Sequence, residues 1–128
     1  MSIELEPFCH EAQIALSEDF VLKMTLDFSA VDRLERLLGQ SIDGIVGSMG
    51  SSVSTMTKVL WGVTREHHSD LSLNQIAGIL LPKDDASVEK AQAVAMTLGN
   101  LFRVAFRIAP PVEVPATPIK TRKRRANG

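Results

Sequence analysis

Residues 20–28, FVLKMTLDF, alternate: Phe20, Leu22, Met24, Leu26 and Phe28 fall on one side, Val21, Lys23, Thr25 and Asp27 on the other. A period of two is the signature of a half-buried strand. From Glu11 to Leu16 the alternation is weaker, with Ala12, Ile14 and Leu16 on one side, and Ser17-Glu18-Asp19 supplies turn residues between the two runs. The stretch predicts a β-hairpin. Two strands are marginal alone in water, so the hairpin must lie on something else. Downstream the apolar residues run at helical spacing. The expected fold is α+β and mainly α, an N-terminal hairpin packed on four to five helices.

The helices announce their ends. Ser29 stands three residues before Asp32, a capping-box variant. Val31, Leu34, Leu37 and Leu38 form a stripe, Asp32 can pair with Arg36, and Gly39 offers a left-handed stop. Residues 41–52, with three glycines and several serines, allow a brief helix around Ile42–Met49. The stripe Val53, Met56, Val59, Leu60, Val63 predicts a helix to about Glu66, with Trp61 off its centre and His67 and His68 at its end. Ser72 and Gln75 form a capping box before a helix over 73–81, which Pro82 stops. Asp84, Asp85 and Ser87 can cap a long last helix over 86–108. Its core stripe is Val88, Ala91, Val94, Ala95, Leu98, Leu101, Phe102, Ala105 and Ile108. Its other face mixes Arg103 and Arg107 with Ala93, Met96, Val104 and Phe106. A helix apolar on more than one face is central or part of an interface.

The composition sets limits. At 128 residues and 45% hydrophobic, the chain can build one ordinary core. With 5% aromatics and no tyrosine, that core is aliphatic, which suits packed helices. One cysteine, Cys9, excludes an intramolecular disulfide and fits a reducing compartment. No leader-like apolar run opens the chain, and none approaches the ~18 residues of a membrane span. A cytoplasmic location and no membrane association are expected. Net charge is −1, but unevenly spread. Nine basic and fourteen acidic residues before Pro110 give −5; five basic residues and one acid after it give +4. Four of the six prolines also lie in the last stretch. Residues 1–109 are expected to form one domain and 110–128 a flexible, Pro-rich basic tail.

Little in the chain points to catalysis. Cys9, His10, His67 and His68 are metal-ligating types, but adjacent ligands aim poorly at one ion and no C-x-x-C is present. Cys9 and His10 are neighbours, whereas nucleophile and base normally come from separate elements. The glycines at 39, 44, 47 and 50 complete no phosphate-binding motif and read as a connector. No enzymatic role and no cofactor are expected. The cluster Lys120, Arg122, Lys123, Arg124 and Arg125 can meet nucleic acid or an acidic protein surface, or remain a solvated tail. No aromatics interleave with it, so base stacking is unsupported.

Taken together, residues 28–46 and 58–80, between the hairpin and a long helix with Ala105-Phe106 near its close, resemble the tail assembly chaperones of long-tailed phages and gene transfer agents. The matching residues are Ala30, Leu34, Glu35, Leu38, Gly39, Leu60, Trp61, Gly62, His67, Asp70, Leu71 and Ser72. The likeness covers most of residues 11–108. It departs at Ser69, where the family often has proline, and in the basic extension. The resemblance implies a chaperone that keeps the hydrophobic tape measure protein soluble until tail tube protein replaces it. It also implies self-association into a homo-oligomer, work in the bacterial cytoplasm and absence from the finished virion. The residues suit that role, since Met49, Met56 and Met96 are adaptable contacts, although each alone reads as core. Trp61, Met96, Arg103, Val104 and Phe106 are the expected partner contacts. The rival expectation is a small nucleic-acid-binding accessory protein acting through the basic tail.

Overall fold

The computed structural model describes residues 5–107. The expected tail, its five basic residues and Ile108 lie outside them. Strands β1 (Cys9–Ala15) and β2 (Val21–Asp27) pair antiparallel, from Cys9↔Asp27 to Ala15↔Val21. The turn is closed by the Leu16 N–H on the Phe20 carbonyl at 2.9 Å, and Ser17 Oγ accepts from the Asp19 N–H. Five helices follow: α1 (Phe28–Leu38), α2 (Ile42–Ser48), α3 (Val53–Thr64), α4 (Leu73–Leu80) and α5 (Asp85–Phe106). The mainly α arrangement, with its hairpin on helices, is the one the periodicities predict.

The alternation of β2 decides which face is buried. Leu22, Met24 and Leu26 are fully buried and join one core with Leu34, Ile45, Val59, Leu60, Ile76, Val94, Leu98 and Phe102, to which all five helices contribute. Each large aliphatic side chain so buried contributes ~1.5–3 kcal/mol. Phe28 breaks the pattern. It is 73% exposed, because the strand ends at Asp27 and Phe28 opens α1 on the solvent side. Asp27, not Ser29, is the N-cap: its carboxylate accepts the Ala30 N–H at 2.9 Å. Thr25 also departs from its outward assignment. It is buried because His67 Nε2 lies 2.8 Å from its hydroxyl.

The other helix ends follow their local chemistry. Gly39 takes φ +66° and its N–H reaches Glu35 O, a left-handed stop that suits glycine. Glu35 also turns outward along the chain, its Oε2 accepting the Ile42 N–H at 2.8 Å and so joining α1 to α2. Ser41, Ser52 and Asp84 cap α2, α3 and α5, and Ser72 with Gln75 forms the reciprocal box of α4. Asp32 and Arg36 pair at 3.1 Å. The last helix stops at Phe106 because Arg107 adopts a left-handed conformation, φ 55°.

Helices α1 and α3 cross at Gly62. A side chain there would overlap Leu34 Cδ2 and stand 3.1 Å from Leu34 Cγ. The missing side chain lets the two helices approach, and Arg33 Nη1 donates to the Gly62 carbonyl at 2.6 Å. The loop 65–72 is tied down by Arg65. Its guanidinium donates to the carbonyls of Trp61, Ser69, His68 and Leu71 and lies 4.3 Å from the Trp61 ring centroid, a cation–π distance. That loop seals the outer edge of β2, where His68 Nε2 accepts the Lys23 N–H at 3.0 Å. Helix α5 lies across the hairpin, and its end stacks Phe106 against Phe102 and Phe8 at ring separations of 5.9 and 5.6 Å.

Candidate partner-binding surface

The exposed face of α5 carries large apolar groups. Met96 and Val104 are each 67% exposed, and their spacing of eight residues puts them on the same side of the helix. Arg103 stands between that ridge and the fold, its guanidinium bonded to the Asn100 side-chain oxygen. Beside the ridge is a cleft of about 290 Å³ against α2 and α3, where Val46, Met49 and Met56 face Ala95, Gly99 and Arg103. The cleft exists because α5 has small residues there. A Cβ added at Gly99 would meet nothing within 4 Å. One methionine is buried, one half-buried and one exposed, so the cleft and its ridge carry three flexible thioether side chains. Such side chains fit irregular apolar partners.

The five residues expected to contact a partner do not form one cluster. Arg103 lines the methionine cleft, and Met96 stands exposed on α5 beside Ala95, outside its lining. Val104 opens instead on a second hollow near the chain start, shared with Phe8, Cys9 and His10. Phe106 is half-buried in the Phe8–Phe106–Phe102 stack, where it fastens the N-terminal segment to α5. Trp61 is also half-buried and lines no part of the cleft; its ring supports Arg65. Sequence spacing points to the ridge and the methionines. It cannot find the cleft, since the facing positions 46–56 and 95–103 come together only through packing. The glycine at 99 inside a helical stripe is the available signal.

The cysteine and histidines are placed apart. Cys9 is exposed at the start of β1. Desolvation first, then the carboxylates of Glu11, Asp27 and Glu66, raise its pKa, which disfavours the thiolate that nucleophilic or metal chemistry needs. The His67 and His68 rings are 6.4 Å apart and engaged with Thr25 and Lys23. For His68, desolvation and the neighbouring His67 lower the pKa, which suits its acceptor role. Among the described residues, no three His, Cys, Asp or Glu side chains gather as metal ligands. Nor is any helix there long and apolar enough to cross a membrane. No family model, curated protein or solved structure matches the chain.

Proposed function

We propose that this protein is a non-enzymatic holding chaperone of the tail assembly type, with the tape measure protein as its client. One observation carries the reading: an open, methionine-lined cleft beside the exposed α5 ridge of Met96. A long apolar helix laid there would bury its stripe against adaptable side chains, the helix-in-groove mode. No catalysis is needed. The contact is reversible because the cleft is shallow, and polymerising tail tube protein would compete for the same client helices. Self-association of the chaperone before it meets the client belongs to the same proposal, as does action in the bacterial cytoplasm.

The test is co-expression with the tape measure protein encoded in the same gene neighbourhood, followed by pull-down and a solubility assay. The full chain and the chain lacking 110–128 should both yield a soluble complex. Met96→Lys combined with Gly99→Trp, which charges the ridge and fills the cleft, should return the client to the pellet. Phe106 is a poor choice for this test, since its ring holds the fold. Retention of the complex by the double variant would remove the cleft from the reading. Binding to DNA that needs the tail and weakens steeply with salt, with no client complex, would replace the chaperone by the nucleic-acid reading.

A further inference from the structure

A second groove, between α3 and α4, shares no lining residue with the methionine cleft. We propose that it docks an amphipathic helix of a partner protein, one that presents aliphatic side chains beside a carboxylate. The groove measures about 380 Å³. Its walls are Val53, Leu73 and Leu81, at 51%, 37% and 50% exposure, with Ala77 between them. Scattered single apolar residues on a surface need no explanation; three converging on one groove do.

The two least exposed polar groups in the groove have no partner among the described residues. Thr57 is only 7% exposed and lines the groove. Thr64 and Thr97 each donate to the carbonyl one turn back, on Leu60 and Ala93. The Thr57 hydroxyl makes no such bond, nor any other among the described residues. A buried donor without an acceptor is unfavourable and is normally satisfied by something. One residue on, Lys58 is half-buried, and no carboxylate among the described residues pairs with it. The groove therefore offers aliphatic walls, the Thr57 and Ser54 hydroxyls, the Asn74 carboxamide and one ammonium, and a carboxylate flanked by aliphatic groups complements it.

The groove's place between two helices suits a helix. It is a shallow trough between two helices, at the lower end of the ~300–1,000 Å³ typical of enclosed ligand sites. A third helix can set its ridge into such a trough. A second copy of this chain is a poorer occupant. The apolar ridge of α5 carries Arg103 beside Met96 and Val104, which would bring one cation towards another at Lys58.

The proposal is independent of the client's identity and is tested without it. The ¹⁵N-labelled full chain is titrated with a synthetic helical peptide of leucine and alanine carrying a glutamate one turn from each leucine. Its lysine counterpart and sodium octanoate serve as comparisons. The glutamate peptide should shift amides of 53–58 and 73–81, and bind roughly tenfold tighter than the lysine peptide, as a partly desolvated ion pair allows. Lys58→Glu should reverse that preference. Thr57→Val, which keeps the side-chain shape, should weaken the glutamate peptide several-fold while leaving the thermal midpoint at or above that of the parent. Equal binding of both peptides, shifts elsewhere on the surface, or octanoate occupying the groove as tightly as the glutamate peptide would each overturn the proposal.

Discussion

Gly62→Ala should destabilise the fold although alanine is the better helix former. In an unconstrained helix interior the change would gain about 1 kcal/mol. Here the new methyl overlaps Leu34 Cδ2, and Leu34 is fully buried. Overpacking a close-fitted core, which here forces Leu34 off its rotamer, costs ~1–3 kcal/mol. The Arg33 bond to the Gly62 carbonyl must lengthen as α1 backs away, a further ~1 kcal/mol. The net loss is roughly 1–3 kcal/mol. At roughly 4 °C per kcal/mol, between the values for smaller and larger domains, the midpoint should fall by about 4–12 °C. The control is the Leu34→Ala background. That change alone costs ~2–5 kcal/mol through its cavity, but it removes the atoms in the way. There, Gly62→Ala should be neutral or stabilising by up to ~1 kcal/mol. Urea unfolding of the four chains measures the cycle. If the two changes add to within ~0.5 kcal/mol, as independent sites do, the crossing at Gly62 is not what holds α1 to α3.

Further expectations follow from particular contacts. Gly99→Ala should stabilise α5 by ~0.5–1 kcal/mol in thermal unfolding, because its Cβ enters open space and helix propensity improves; a loss would mean the cleft is closed. Gly39→Ala should cost ~1 kcal/mol or more, since φ +66° is unfavourable for a residue with a Cβ. Ser72→Ala should cost ~1 kcal/mol through the lost capping box of α4, read by urea unfolding, with the client still held soluble in co-expression. Acid should weaken the fold through His68, which accepts the Lys23 N–H and is faced by His67, Lys23, Arg65 and Asp70. Its folded pKa lies below the ordinary 6.5, so the unfolded chain takes the proton first. The stability it contributes is complete above that value and is lost as pH falls from there through the lowered folded pKa. Urea midpoints at pH 8 and pH 5 should differ in that direction, and His68→Gln should reduce the difference.

Much of the fold is legible along the chain because its signals are local. The Ser72–Gln75 box, the Asp84 cap, the Gly39 stop and the Asp32–Arg36 pair need only residues three to five apart. The start of α1 is harder, since two local signals compete there. Alternation extends the strand to Phe28, whereas the Asp27 carboxylate, within reach of Ala30, begins the helix one residue earlier. Thr25 is beyond sequence reading because the group that covers it, His67, is 42 residues away. The candidate surfaces are least legible. Val53 reads as the first member of a core stripe, yet it is half exposed and opens on the groove with Leu73 and Leu81. The residues on which the expected likeness to tail assembly chaperones rests are largely those that hold the fold: Leu34 on Gly62, Glu35 on the Ile42 N–H, Gly39, His67 on Thr25, Leu71 under Arg65, and Ser72. They speak for local packing, while the positions on α5 proposed to meet a client are argued from exposure and shape.

Helix α5 closes the hairpin that opens the chain, and Phe106 is stacked on Phe8. During synthesis the apolar face of β2 emerges early but gains that cover only once the last helix has been made. The hairpin and first four helices must wait with Leu22, Met24 and Leu26 incompletely shielded. Contacts between such distant segments slow folding and prolong the exposure of sticky surface. A ribosome that stalls or terminates before residue 106 would thus release a chain lacking its cover. Such truncated chains should be removed by proteolysis or aggregate, so the cell's stock of this protein depends on translation reaching α5.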